Sequence, residues 1–203
     1  MELLSYLRRY SLFALLAVGV FVTSCDDDDE PEPENLPEVI TDVTLIFTNN
    51  ADASDIVTAS AVDPDGEGVQ ELQILGGIVL DVDKTYTLTY AIFNNLETPG
   101  EDIGEEILEE DDEHQLFFSF SEGAFVSPTG NGNIDNASDP INYNDADDDG
   151  NPVGLSTTWT TSSSAVTGTF TARLQHQPDV KTATSGATDG DTDFDLTFTL
   201  EIK

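Results

Sequence analysis

One cysteine, one tryptophan, one methionine and six basic residues are all that 203 positions contain of those types. A lone thiol, Cys25, excludes an internal disulfide framework and any zinc site built on cysteines. With 41 acids against those six bases, the formal net charge is −35. Such a field repels phosphate backbones, so nucleic acid is excluded as a partner. No G-x-S-x-G elbow, phosphate loop or dinucleotide fingerprint occurs, which leaves enzymatic chemistry without its usual signatures. The expectation is a protein that is not an enzyme. A hydrolase with carboxylates hidden among the acids, or a polysaccharide binder, is the remote alternative.

No apolar run reaches the roughly 20 residues of a spanning helix. The nearest is SLFALLAVGVFV, 11–22, preceded by Arg8 and Arg9 and followed by Thr23, Ser24 and Cys25. A basic stretch, a short apolar stretch and small residues form a secretory signal. VTSC, 22–25, resembles a bacterial lipobox, which implies cleavage after residue 24 and lipidation of Cys25. The following DDDDEPEPENLPE, 26–38, is charged and proline-rich and suits an extended tether over 25–37. An acidic run after a lipidated cysteine also resembles the surface-export signal of Bacteroidota lipoproteins. The implied location is the outer membrane, facing the medium, with a periplasm-facing orientation as the alternative. The membrane is then a partner through the lipid alone, and an outer-membrane transporter is a second partner by analogy of lifestyle.

Residues 38–203 read as one domain. Apolar residues alternate with polar ones at Phe194, Leu196, Phe198, Leu200 and Ile202, and at Tyr86, Leu88, Tyr90 and Ile92, which puts each set on one strand face. VITDVTLIFTN, DIVTASAV, ELQIL, GIVL, HQLFFSF, GLSTTWTT and SAVTGTFTARLQH are further strand candidates, separated by segments such as DPDGEG, ETPG and DADDDGNP. Many short strands with one buried face predict an all-β, antiparallel, immunoglobulin-like β-sandwich. Leu80 and Tyr86, six residues apart, resemble the tyrosine corner of such domains. Ile103, Ile107 and Leu108 suit one short helix near 102–110. Trp159 shares the parity of Leu155 and belongs to the core.

Two segments carry metal-ligand chemistry. In NDADDDGNPVG, Asp145, Asp147, Asp149, Gly150 and Asn151 fall at positions 1, 3, 5, 6 and 7 of an EF-hand-type calcium loop. Position 12 is Ser156, so the bidentate glutamate is missing, and an acidic turn built for backbone reasons remains open. VDPDGEG, with Asp63, Asp65 and Glu67, is a weaker version. The second is the histidine pair. His114 opens one strand and His176 closes another, each on the core-facing parity. Antiparallel pairing of those strands brings both imidazoles to one pole, near Glu109, Glu110, Asp112, Glu113 and Asp179. Two histidines with carboxylates suit zinc or another transition metal, His114, His176, Glu110, Glu113 and Asp179 being the candidate ligands.

EEILEEDDEHQLFF (105–118), GNPVGL (150–155) and LQHQPDVK (174–181) resemble motifs of a family of small acidic lipoproteins of Bacteroidota, often labelled "type 1 periplasmic-binding fold". That label denotes paired α/β domains, which neither the length nor the strand-rich pattern supports. The resemblance implies an exported lipoprotein of unsettled function and transfers no site residues. The expectation is therefore a lipid-anchored surface module that captures or uses a divalent cation. The alternative is a structural surface lipoprotein with only a calcium loop or no metal.

Overall fold

The computed structural model describes residues 38–66 and 71–203. The signal segment, Cys25, the acidic tether and Glu67 lie outside the described residues. Within 38–203 the chain runs β1 (Asp42–Asn49), β2 (Ile56–Val62), β3 (Gln73–Leu75), β4 (Ile78–Leu80), β5 (Thr85–Asn94) and β6 (Glu101–Asp102). The helix α1 (Ile103–Glu109) follows, then β7 (His114–Phe120), β8 (Phe125–Ser127), β9 (Thr157–Thr161), β10 (Val166–His176) and β11 (Asp191–Ile202). Among the described residues no helix is long and apolar enough to cross a membrane.

The strands form two sheets that pack as a sandwich. The larger has the order β3-β2-β1-β5-β9-β8, with β6 also paired to β5, and the smaller is β4-β11-β10-β7. Pairing is antiparallel as expected, except between β4 and β11, which run parallel. Alternation explains the layers: Val43, Leu45 and Phe47 of β1 are buried, as are Phe194, Leu196, Phe198, Leu200 and Ile202 of β11. Trp159 is fully buried and crosses the interface, its ring packed edge-on against Phe118, Phe120 and Phe170 at centroid distances of 5.3, 5.4 and 5.0 Å. Its indole N–H is satisfied locally by Thr157 Oγ1 at 2.7 Å. Aromatic pairs of this geometry add about 0.5–1.5 kcal/mol each beyond burial.

The Tyr86 hydroxyl accepts the backbone N–H of Asp81 at 3.2 Å, tying β5 to the end of β4 much as a tyrosine corner does. Tyr86→Phe removes only that bond. It is expected to lower stability by about 1 kcal/mol, read as a shifted urea midpoint with an unchanged slope.

Helix α1 forms where the strand pattern lapses. Asp102 caps it by accepting the N–H of Glu105, while Ile103 and Ile107 are buried. Leu108, expected on the same face, is instead exposed, because a seven-residue helix lying on a sheet buries only its i, i+4 stripe.

Strand β7 is an edge of the smaller sheet, yet nearly all its side chains are buried. The segment 131–154 covers it. Leu116 N–H donates to Val153 O, Phe120 N–H to Asn131 O, and Phe118 N–H to Asn133 Oδ1. Gly132, at φ 99°, lies so close to the Phe118 carbonyl that a Cβ has no room. The edge is thereby closed to further strand pairing.

Candidate functional site

Strands β7 and β10 pair so that His114 stands directly opposite His176. Their rings stack with centroids 4.5 Å apart and planes 2° from parallel. The sequence parity thus leads to real adjacency at one pole of the sandwich. Both rings are buried, the His114 side chain completely and the His176 side chain to within 4 %. Gly190, just before β11, lies against the His176 backbone at φ 79°, where a Cβ would collide. A glycine there is what lets β11 begin beside the histidines.

His114 Nδ1 lies 3.1 Å from the backbone carbonyl of Glu110. A carbonyl only accepts, so Nδ1 carries the proton and Nε2 presents its lone pair. That Nε2 makes no hydrogen bond among the described residues, and neither does Nε2 of His176. Burial, together with the neighbouring His176, pulls His114 down to about 4 despite the Glu110 carbonyl. The imidazole is therefore neutral at pH 7, the form that binds metal.

Carboxylates surround the pair. Glu110 caps the end of α1 and offers an oxygen; its ligand atom and those of both histidines lie within 4.8 Å of one another. Glu113 Oε2 stands 3.4 Å from His176 Nε2. Asp179 does not join this group. It lines a neighbouring cavity of about 210 Å³ with Glu113, Asp147 and Lys181. Two further acids escaped the sequence reading. Asp193 is 3.8 Å from His114 Nε2 with its side chain fully buried, and its Oδ2 also lacks a hydrogen-bond partner. Glu38 donates its backbone N–H to Asp193 Oδ1 at 3.3 Å. Burial raises Asp193 to about 7. Burial first, then a hydrogen bond and repulsion from Glu101, raise Glu106 to about 7, and burial and Glu110 raise Glu38. No basic residue occupies the last turn of α1, so the helix end adds negative potential to the same place.

The aspartate loop is arranged differently from a cation cage. Asp145 accepts the N–H groups of Gly154 and Ser156 at 2.8 Å each and closes the loop on itself. Asp147 accepts the N–H groups of Asp149 and Asn151 and the Asn151 side-chain amide. Its Oδ2 also meets Lys181 Nζ at 3.1 Å, both side chains being 1 % exposed. Burial works against ionisation of Asp147, but the Asn151 and Lys181 bonds outweigh it and hold the carboxyl below its ordinary value. Asp149 and Asn151 line the 210 Å³ cavity. The Lys181 ammonium thus lies against one of the expected calcium ligands, Asp147. At the weaker turn, Asp63 Oδ1 accepts the N–H groups of Asp65 and Gly66.

Compared with known proteins, the chain matches no family model, and no curated protein or solved structure is significantly similar to it. Function is therefore read from the pole itself: two stacked, buried imidazoles whose Nε2 atoms make no hydrogen bond among the described residues, set among carboxylates.

Proposed function

We propose that this protein is a lipid-anchored surface module that captures a divalent transition-metal cation between His114 and His176, with Glu110 as a carboxylate ligand. The observation that carries the reading is the register-matched histidine pair whose two Nε2 atoms are buried and make no hydrogen bond among the described residues. A buried polar atom left unpaired costs about 1–3 kcal/mol, and a bound cation removes that cost at both nitrogens together. The Glu110 carbonyl on His114 Nδ1 is the outer partner that metal-ligating histidines ordinarily have. Ligation at about 2.1 Å per nitrogen holds two donors within about 4 Å, so the stacked rings need only tilt toward one another. Nitrogen with carboxylate oxygen favours zinc, copper or iron over calcium.

The test is metal titration of the full chain, purified in detergent and stripped with a chelator. Near one equivalent of zinc is expected to bind, and His114→Ala/His176→Ala is expected to abolish binding while the variant stays folded by circular dichroism. A folded wild-type chain that takes up no zinc, copper, cobalt or iron returns the protein to the structural reading.

A further inference from the structure

A second, open cavity lies beside the histidine pole. It has a volume of about 250 Å³ and is lined by Glu38, Asp63, Glu71 and Asp193 over a floor of Phe194 and Leu196. Asp193 belongs to both places. It lines the cavity, yet its Oδ2 faces His114 Nε2 at 3.8 Å, and both atoms are buried without hydrogen bonds.

The backbone explains how one residue reaches both. Along β11 the inward parity belongs to Phe194, Leu196 and Phe198, so Asp193 ought to face outward. Between Leu174 and Gln175 of β10, however, the register slips: Leu174 pairs with Phe194 and Gln175 with Thr192. Asp193 is the residue left over. Bulges re-aim a side chain in this way and recur next to functional sites. The bulge lies one pair before His176, which itself pairs with Asp191.

We propose that Asp193 is a ligand of the captured cation and the point of transfer from the acidic cavity to the histidines. This rests on the metal-binding reading above. The charged residues that line the cavity are all acids, and a hydrated cation entering it exchanges water for carboxylate oxygen without being committed. Asp193 then carries it within reach of His114 and His176, where nitrogen ligands hold a transition metal in preference to calcium or magnesium. The same lining repels anions, so the cavity serves the arriving cation and not an anionic co-ligand. An ion at His114 would give ligands to two facing atoms that make no hydrogen bond among the described residues, His114 Nε2 and Asp193 Oδ2.

Cobalt(II) tests this, because its visible absorption reports the ligand set. The full chain in detergent, stripped of metal, is mixed with cobalt and followed at equilibrium and by stopped flow. Asp193→Asn is expected to bind at least about tenfold more weakly and with an altered spectrum, a loss of the size seen when a metal site's supporting groups are removed. Glu38→Gln/Glu71→Gln is expected to associate several-fold more slowly, with a weaker dependence on ionic strength. Wild-type spectrum and affinity in Asp193→Asn overturn its role as a ligand. A wild-type association rate in the double variant overturns the route. No cobalt binding by the wild-type chain removes the metal reading itself, and this inference with it. A melting curve of each variant separates loss of ligation from loss of fold.

Discussion

Lys181→Met is expected to destabilise the domain by about 3–5 kcal/mol, the usual cost of removing one partner from a buried ion pair. Lys181 Nζ reaches Asp147 Oδ2 at 3.1 Å and also donates to the Asp111 carbonyl. Both side chains of the pair are 1 % exposed. Methionine keeps most of the buried stem, so the loss is electrostatic: Asp147 is left charged, buried and answered only by amide donors. Adding Asp147→Asn is expected to recover part of the loss, since no charge is then stranded. Calcium supplies the sharper test. In Lys181→Met the loop oxygens face a missing cation, and 10 mM calcium against a Kd of about 1 mM returns about 1.4 kcal/mol. That recovery, measured as a melting-temperature gain beyond the gain in wild type, identifies the ammonium as the loop's resident cation. A variant as stable as wild type in the absence of calcium would falsify this role for Lys181.

The second large effect is a pH dependence opposite to that of most folded domains. The metal-stripped protein is expected to lose stability as pH rises from about 5 to about 8. Asp193 and Glu106 are each raised to about 7 in the fold, and Glu38 is raised as well. A carboxyl protonated in the fold but ionised in the unfolded chain stabilises the fold below its ordinary value, and that contribution fades as pH climbs through its folded value. His114, held at about 4 against an ordinary 6.5, works the other way, penalising the fold as pH falls from 6.5 toward 4. Over that window His114 and Asp193 nearly cancel, which leaves the glutamates to set the sign. For Asp193 the gap between 3.8 and about 7 corresponds to about 4 kcal/mol at most. Asp193→Asn is therefore expected to be more stable than wild type at pH 8, by up to that amount, and to show a flatter profile. Urea unfolding at pH 5, 6.5 and 8 measures both. Wild-type stability that rises over this range would mean that these carboxyls are already ionised in the fold.

Much of the sandwich could be read from alternation alone, because Phe, Leu and Ile at every second position leave one assignment per strand. The same parity brought His114 and His176 together, since antiparallel pairing of a strand's start with another's end has a single geometric outcome. Asp193 was invisible for the converse reason. Parity places it with solvent, and only a bulge, which depends on how two strands slip past each other, turns it inward. Lys181 and Asp147 are 34 positions apart with no shared period, so nothing local joins them. The aspartate loop is legible only in part: DxDxDG specifies a turn dense in oxygens, but not that Lys181 comes to lie against Asp147. Short β6 and β8 were also missed, being too brief to show a period.

Strand β11 lies between β4 and β10, although β4 ends at residue 80 and β11 at residue 202. A ribosome that has delivered only the first 190 residues has made both flanks of the smaller sheet without the strand that joins them. Late closure of so distant a pairing slows folding. It also orders events at the pole, where Asp193 reaches the histidines only when that strand docks. An ion held there would bind the finished domain and not the nascent one, so its arrival would lock in a fold that is already complete.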